Sequence, residues 1–99
     1  MDAGKEFHAS SGERITIVLK EYPTSGYRWH LREYESVILN LESDRFLSQS
    51  ENPIGGGGMR ELCFIARRQG QSRIELTNIR EWEKDEPAKA VFVVKVDVK

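Results

Sequence analysis

The sequence predicts an all-β protein: an immunoglobulin-like antiparallel β-sandwich of about seven strands. Three observations carry that prediction. Apolar and polar residues alternate along most of the chain, as in "RITIVLK" and "VFVVKVDV", the period that buries one face of a strand and wets the other. Clusters of Gly, Pro, Ser and Asn separate these runs at near-regular spacing, which suits a two-sheet sandwich. Sustained helical spacing is scarce.

The elements follow in order. The count of seven takes in the segment ahead of the Ser10-Ser11-Gly12 turn. In "RITIVLK", Ile15, Ile17 and Leu19 fall on one face. In "YRWHLREY", Tyr27, Trp29 and Leu31 oppose Arg28, His30 and Arg32. "SVILNLE" and the more polar "DRFLSQS" read as one bent strand, the latter part at a sheet edge. "MRELCFIAR" points Leu62, Phe64 and Ala66 one way, "SRIELTNI" does the same with Ile74 and Leu76, and "KAVFVVKVDV" closes the chain with Phe92, Val94, Val96 and Val98. If each strand reverses the one before, the second, fourth and sixth connections emerge at one end. These are residues 21–26, 51–58 and 80–89, the longest and least ordinary loops in the chain. Loops grouped at one end of a sandwich are how immunoglobulin-like domains build a binding surface.

Composition bounds the partners. The 99 residues suit a single domain, residues 1–99 with 5–98 as its body. The charged fraction of 31% is balanced, 15 Lys and Arg against 16 Asp and Glu, for a net charge of -1. Such a chain has no field for a phosphate backbone or an anionic membrane, so neither nucleic acid nor membrane is expected as a partner. No apolar run is longer than "AVFVV", far too short to span a bilayer. The single cysteine, Cys63, cannot form an internal disulfide and reads as a small buried hydrophobe within a strand. The first ten residues contain no apolar signal-peptide core. The domain is expected to act as a monomer.

Each loop has a plain reading and a functional one. In Glu21-Tyr22-Pro23-Thr24-Ser25-Gly26, Pro23 fixes its own φ and pushes Tyr22 towards extended geometry, while Gly26 permits a positive φ or a close approach. The result is either an ordinary strand connection or a stiff, narrow tip presenting Thr24 and Ser25. The stretch "ENPIGGGGMR" contains four consecutive glycines, Gly55, Gly56, Gly57 and Gly58. A phosphate-binding loop would need a following helix and a Lys-Ser/Thr pair, which "MRE" does not supply. What is left is a flexible turn or a backbone surface that another protein approaches closely. In "IREWEKDEPAKA", Trp82 is set among charges after Arg80. It either folds back on the sandwich edge or stands exposed with Arg80, the residue pair enriched at protein-interface hot spots.

No catalytic chemistry emerges. Ser, His and Asp occur, but nothing positions a base beside a nucleophile. His8 and His30 lie on different strands with no carboxylate or cysteine at metal-ligand spacing and read as surface histidines, and Glu83, Asp85 and Glu86 read as a solvated face. Neither a metal nor a cofactor is expected.

Taken together, the three loops resemble the chagasin-like inhibitors of papain-family cysteine peptidases. "YPTSGYRW" resembles that family's Asn-Pro-Thr-Thr-Gly-Tyr/Phe-x-Trp signature, "GGGG" its Gly-x-Gly-Gly loop and "REW" its Arg-Pro-Trp loop. Order and spacing agree, and the resemblance covers roughly residues 5–98. It implies an immunoglobulin-like sandwich whose loops form a wedge in the peptidase cleft. Thr24 would then sit closest to the catalytic Cys and His, with Pro23, Ser25 and Gly26 shaping the tip. The quartet Gly55, Gly56, Gly57 and Gly58 would lie along the non-primed side, and Arg80 and Trp82 would contact the primed side. Tyr27 and Trp29 would anchor the loop in the core. The implied partner is a papain-like cysteine peptidase, bound reversibly and without a covalent bond, and the implied location is secreted or periplasmic. The chain departs from the pattern at Tyr22, Ser25 and Glu81, where the family has Asn, Thr and Pro. Tyr22 and Glu81 favour the alternative, an immunoglobulin-like binding module with a non-peptidase partner.

Overall fold

The computed structural model describes residues 5–48, 57–82 and 87–99. Among the described residues seven strands follow one another: β1 (Lys5–Ala9), β2 (Arg14–Glu21), β3 (Arg28–Glu33), β4 (Leu39–Ser48), β5 (Gly58–Ala66), β6 (Gly70–Ile79) and β7 (Ala90–Val98). The helical content among the described residues is one 3-10 turn, Pro23–Ser25. The strands form two sheets, one of order β1-β7-β6-β3 and one of order β2-β5-β4. Every pairing is antiparallel except β1 with β7, which is parallel. That exception follows from alternation: strands one and seven run the same way, so they can meet only in parallel.

Period two fixes the faces. Ile15 and Ile17 of β2, Leu62, Phe64 and Ala66 of β5, Ile74 and Leu76 of β6, and Val94, Val96 and Val98 of β7 are all buried between the sheets, joined by Ala9 and Leu39. Trp29 and Leu31 of β3 pack against this core. Tyr34 meets Phe64 edge-on, with ring centroids 5.4 Å apart, the arrangement the ring quadrupoles favour. The bent strand of the sequence is β4, an edge strand with a register irregularity between Leu41 and Ser43. The extra residue changes which positions face inward, from Leu39 and Leu41 to Asp44 and Phe46 opposite Leu62 and Arg60. This bulge is why the segment reads as two runs of different period.

The outer faces are laced with charge. Arg14 meets Glu42 at 2.9 Å, Arg45 meets Glu61 at 2.9 Å, and Arg73 reaches Glu33 and Glu75. Exposed pairs of this kind contribute about 0–1 kcal/mol each. At that size they contribute little to holding the fold together.

Two sequence readings are corrected on these faces. Cys63 is not a core side chain: Leu62 and Phe64 point inward, so Cys63 points out. There it is half-buried between Thr16 and Ser43, with Thr16 Oγ1 3.8 Å and Glu42 Oε1 3.9 Å from its sulfur. His8 does have carboxylates beside it, supplied by the parallel partner strand as well as by its own. Its Nδ1 is 3.5 Å from Asp97 and its Nε2 4.0 Å from Glu6, and one ligand atom from each of the three residues falls within a 4.8 Å cluster.

Phe64→Ala removes a ring of 0% exposure from the centre of the core and should cost about 3–5 kcal/mol. Val91→Ala, at 41% exposure, should stay within about 0.5 kcal/mol. Urea denaturation of both variants measures the contrast, and equal losses would mean that Phe64 is not at the centre of the packing.

Candidate functional site

The β2–β3, β4–β5 and β6–β7 connections share one end of the sandwich, because strand direction alternates along the whole chain. The described parts of these connections touch one another, with the first turn in the middle.

The turn Pro23–Ser25 is built locally. Tyr22 is extended, at φ -121° and ψ 87°, as the following proline requires. Two backbone bonds close the turn, Ser25 N–H to Tyr22 O at 3.0 Å and Gly26 N–H to Pro23 O at 2.9 Å. Gly26 then exits with φ 84°, a left-handed conformation that suits glycine. The Ser25 hydroxyl donates to Tyr22 O at 2.6 Å and accepts from Tyr27 N–H at 3.3 Å. Of the three turn residues, Thr24 is therefore the one with an exposed side chain. Ser25 points back and braces the turn, in the chain that lacks the family's leading Asn.

On one flank the turn meets the third connection. A Cβ on Gly26 would run into the Trp82 indole, whose Cζ2 lies 3.0 Å from that position. Trp82 nevertheless remains 71% exposed, so it leans on the turn rather than on the sandwich edge. Arg80 donates from Nε to Ser25 O at 3.0 Å and places its guanidinium 4.3 Å from the Tyr27 ring centroid. Lys89 approaches the same ring at 4.9 Å. Such cation–π contacts fix the ring without burying it in the core. The expectation for Tyr27, an inward anchor beside Trp29, is corrected accordingly. It precedes β3, and its ring serves as a platform for Arg80 and Lys89.

On the other flank the turn meets the second connection. A Cβ on Gly57 would stand 2.5 Å from Tyr22 Cε1, so the tyrosine ring lies against the glycine backbone. Gly58 is buried in β5 opposite Glu21 and Ser48, and a side chain there would strike Phe46 and the Leu47 carbonyl. The identity of both glycines thus has an intramolecular cause. Gly55 and Gly56 lie outside the described residues, as do Glu83, Asp85 and Glu86.

Between the turn and Trp82 opens a recess of about 550 Å³ lined by Pro23, Thr24, Ser25, Gly26, Arg28, Glu81 and Trp82. Glu81 also reaches towards His30, whose Nε2 is 3.9 Å away. His30 is only 30% exposed, not the surface histidine that the alternation suggests. Neither Arg28 nor Glu81 is among the site residues expected from the sequence, where Glu81 counts only as a departure from the family pattern; the recess brings both to the turn.

The chain belongs to the chagasin family of peptidase inhibitors (I42), whose family model it matches over residues 8–96. It is 29% identical over 79 residues to Amoebiasin-2 of Entamoeba histolytica, a match covering 78% of this chain and 63% of that protein. The chain therefore spans less than two thirds of that relative's length. Its backbone is similar to the crystal structure of the cysteine protease inhibitor EhICP2 from Entamoeba histolytica, with a TM-score of 0.85 at 26% identity over 96% of this chain and 86% of that one. It also shares its fold with PbICP-C, solved in complex with falcipain-2, with a TM-score of 0.71 at 15% identity over 95% of this chain and 86% of that one.

Gly26→Ala sets a β-carbon both in left-handed geometry and against the indole. It should destabilise the domain by roughly 1–2 kcal/mol or more and change Trp82 fluorescence. Trp82→Ala, by contrast, should leave the unfolding midpoint nearly unmoved. A large loss of stability in Trp82→Ala would show that the indole is a packing residue.

Proposed function

We propose that the domain is a reversible, non-covalent inhibitor of papain-like cysteine peptidases that seats its three-loop end in the active-site cleft. One observation carries the reading: in a chain of this inhibitor family, an exposed threonine sits on a turn braced from both flanks. The EhICP2 likeness, a cysteine protease inhibitor at 26% identity, supports the same class.

In this reading Thr24 occupies the position next to the peptidase's Cys and His. Pro23, Ser25 and Gly26 shape the tip. Gly55, Gly56, Gly57 and Gly58 follow the non-primed side, and Arg80 and Trp82 the primed side. Cleavage requires an extended peptide in register with the catalytic groups. The Pro23–Ser25 segment is instead a closed helical turn, held by Ser25 and Arg80, and opening it would sacrifice those bonds. Because the Pro23–Ser25 turn is braced before docking, little conformational entropy is lost there on binding. An interface of ordinary size covers about 800 Å² per partner.

Arg80 contributes chiefly by holding Ser25 and Tyr27, and Trp82 by direct contact. Trp82→Ala should weaken binding by about 2 kcal/mol, roughly thirty-fold. Thr24→Arg should weaken it strongly while leaving thermal stability intact. Papain and a cathepsin titrated with the pure domain provide the measurement, alongside peptidase whose active cysteine carries a small blocking group and should still bind. Absence of inhibition at micromolar concentration across several such enzymes would reject the proposal and favour a binding module with another partner.

A further inference from the structure

We infer that Glu21 is a positioning residue for inhibition: its buried carboxylate locks the bases of the first and second loops into one unit. The inference rests on the inhibitor reading above and extends it to a residue with no access to a partner. Glu21 is the last residue of β2, and its side chain has 0% exposure. A carboxylate so placed is strongly disfavoured unless it is paired and hydrogen-bonded.

The pairing is complete and directional. One oxygen, Oε1, accepts the Trp29 backbone N–H at 2.7 Å. The other, Oε2, accepts from Arg60 Nη2 at 2.7 Å and Nε at 3.2 Å, and Nε also reaches Oε1 at 3.4 Å, so the guanidinium edge spans both oxygens, the forked pairing that makes guanidinium–carboxylate pairs specific. Arg60 extends the network through Nη1 to Asp44 at 3.1 Å. Burial works against the Arg60 charge, but hydrogen bonds and attraction from Glu21 and Asp44 outweigh it and raise its pKa further. Trp29 adds a second tie, from its indole N–H to Lys20 O at 2.8 Å.

The location gives these bonds their consequence. Glu21 and Trp29 flank the first loop, while Asp44 and Arg60 lie on β4 and β5, the strands on either side of the second. Glu21 pairs with Gly58 across the β2–β5 ladder, directly beneath the contact of Tyr22 with Gly57. The Trp29 bond also crosses from the three-stranded sheet to the four-stranded one. An apolar pair of equal volume would fill this space and often preserve stability, yet it has no preferred angle. The ionic fork prescribes how the tip that carries Thr24 is set relative to Gly57, and a wedge must keep that relation to fit one cleft.

Three variants test this: Glu21→Gln, Arg60→Met and the apolar double Glu21→Leu with Arg60→Met. Val98→Ala, buried at the opposite pole, controls for general loss of stability. Thermal unfolding, backbone ¹⁵N order parameters at residues 24–26, 57 and 58, and the inhibition constant against a peptidase blocked by the unaltered domain are measured for each. The double variant should stay folded, with order parameters falling from about 0.85 towards 0.6 and inhibition weakened at least tenfold. Glu21→Gln, which keeps the Trp29 bond and the packing, should show a smaller change in the same direction, and Val98→Ala none per folded molecule. A double variant with a rigid turn overturns the inference, whether or not it inhibits. So does failure of every Glu21 and Arg60 variant to fold, which would make the network a stability element. Should the unaltered domain inhibit no peptidase, the functional reading falls, and the order parameters still decide whether Glu21 sets the loops.

Discussion

Each strand runs opposite to the one before it, and the site depends on that constraint. With seven strands, alternation sends the second, fourth and sixth connections to one end whatever their composition. Residues 57 and 82 come to opposite flanks of the turn that carries residue 24, without any of them contributing to the core. The core needs only to hold the two sheets in place, which the aliphatic faces of β2, β5, β6 and β7 around Phe64 accomplish. Function and folding are thus divided between the end and the middle of the same strands.

At the site itself, small residues let large ones approach. Gly26 admits the Trp82 indole and Gly57 admits the Tyr22 ring, so one narrow turn is buttressed by an aromatic from each side. Both aromatics stay substantially exposed, at 71% and 48%. They brace the turn with one surface and offer the other to solvent. Beneath them the apolar core gives way to a carboxylate, a guanidinium and a backbone amide. Directional bonds define an angle between loops in a way that apolar contact does not.

Much of this architecture is legible in the sequence because period two is a strong signal. Ile15, Ile17, Leu62, Phe64, Val94 and Val96 all face where alternation places them, and counting strands brings the loops together. What escapes detection depends on pairs distant in sequence. Glu21 meets Arg60 across 39 residues, and nothing next to Glu21 in the chain marks it as buried. His8 finds Asp97 only because the first and last strands are neighbours. Ser25 looks like a presented hydroxyl, and only the position of the Tyr22 carbonyl reveals it as a brace. Tyr22 looks like a loss relative to the family pattern, yet its ring closes the gap to Gly57.

The parallel pairing of β1 with β7 has a practical consequence. Ala9 and Val98 are partners, and the Lys99 amide donates to Ala9 O at 2.9 Å, which fixes the last residue at the pole away from the turn. Coupling the domain to a bead, a phage coat or a fluorescent fusion through Lys99 would therefore point the loops outward. Attachment at the start of β1, whose first residue pairs with Val94 nearer the loop end, would instead bring the support towards the surface meant to be displayed.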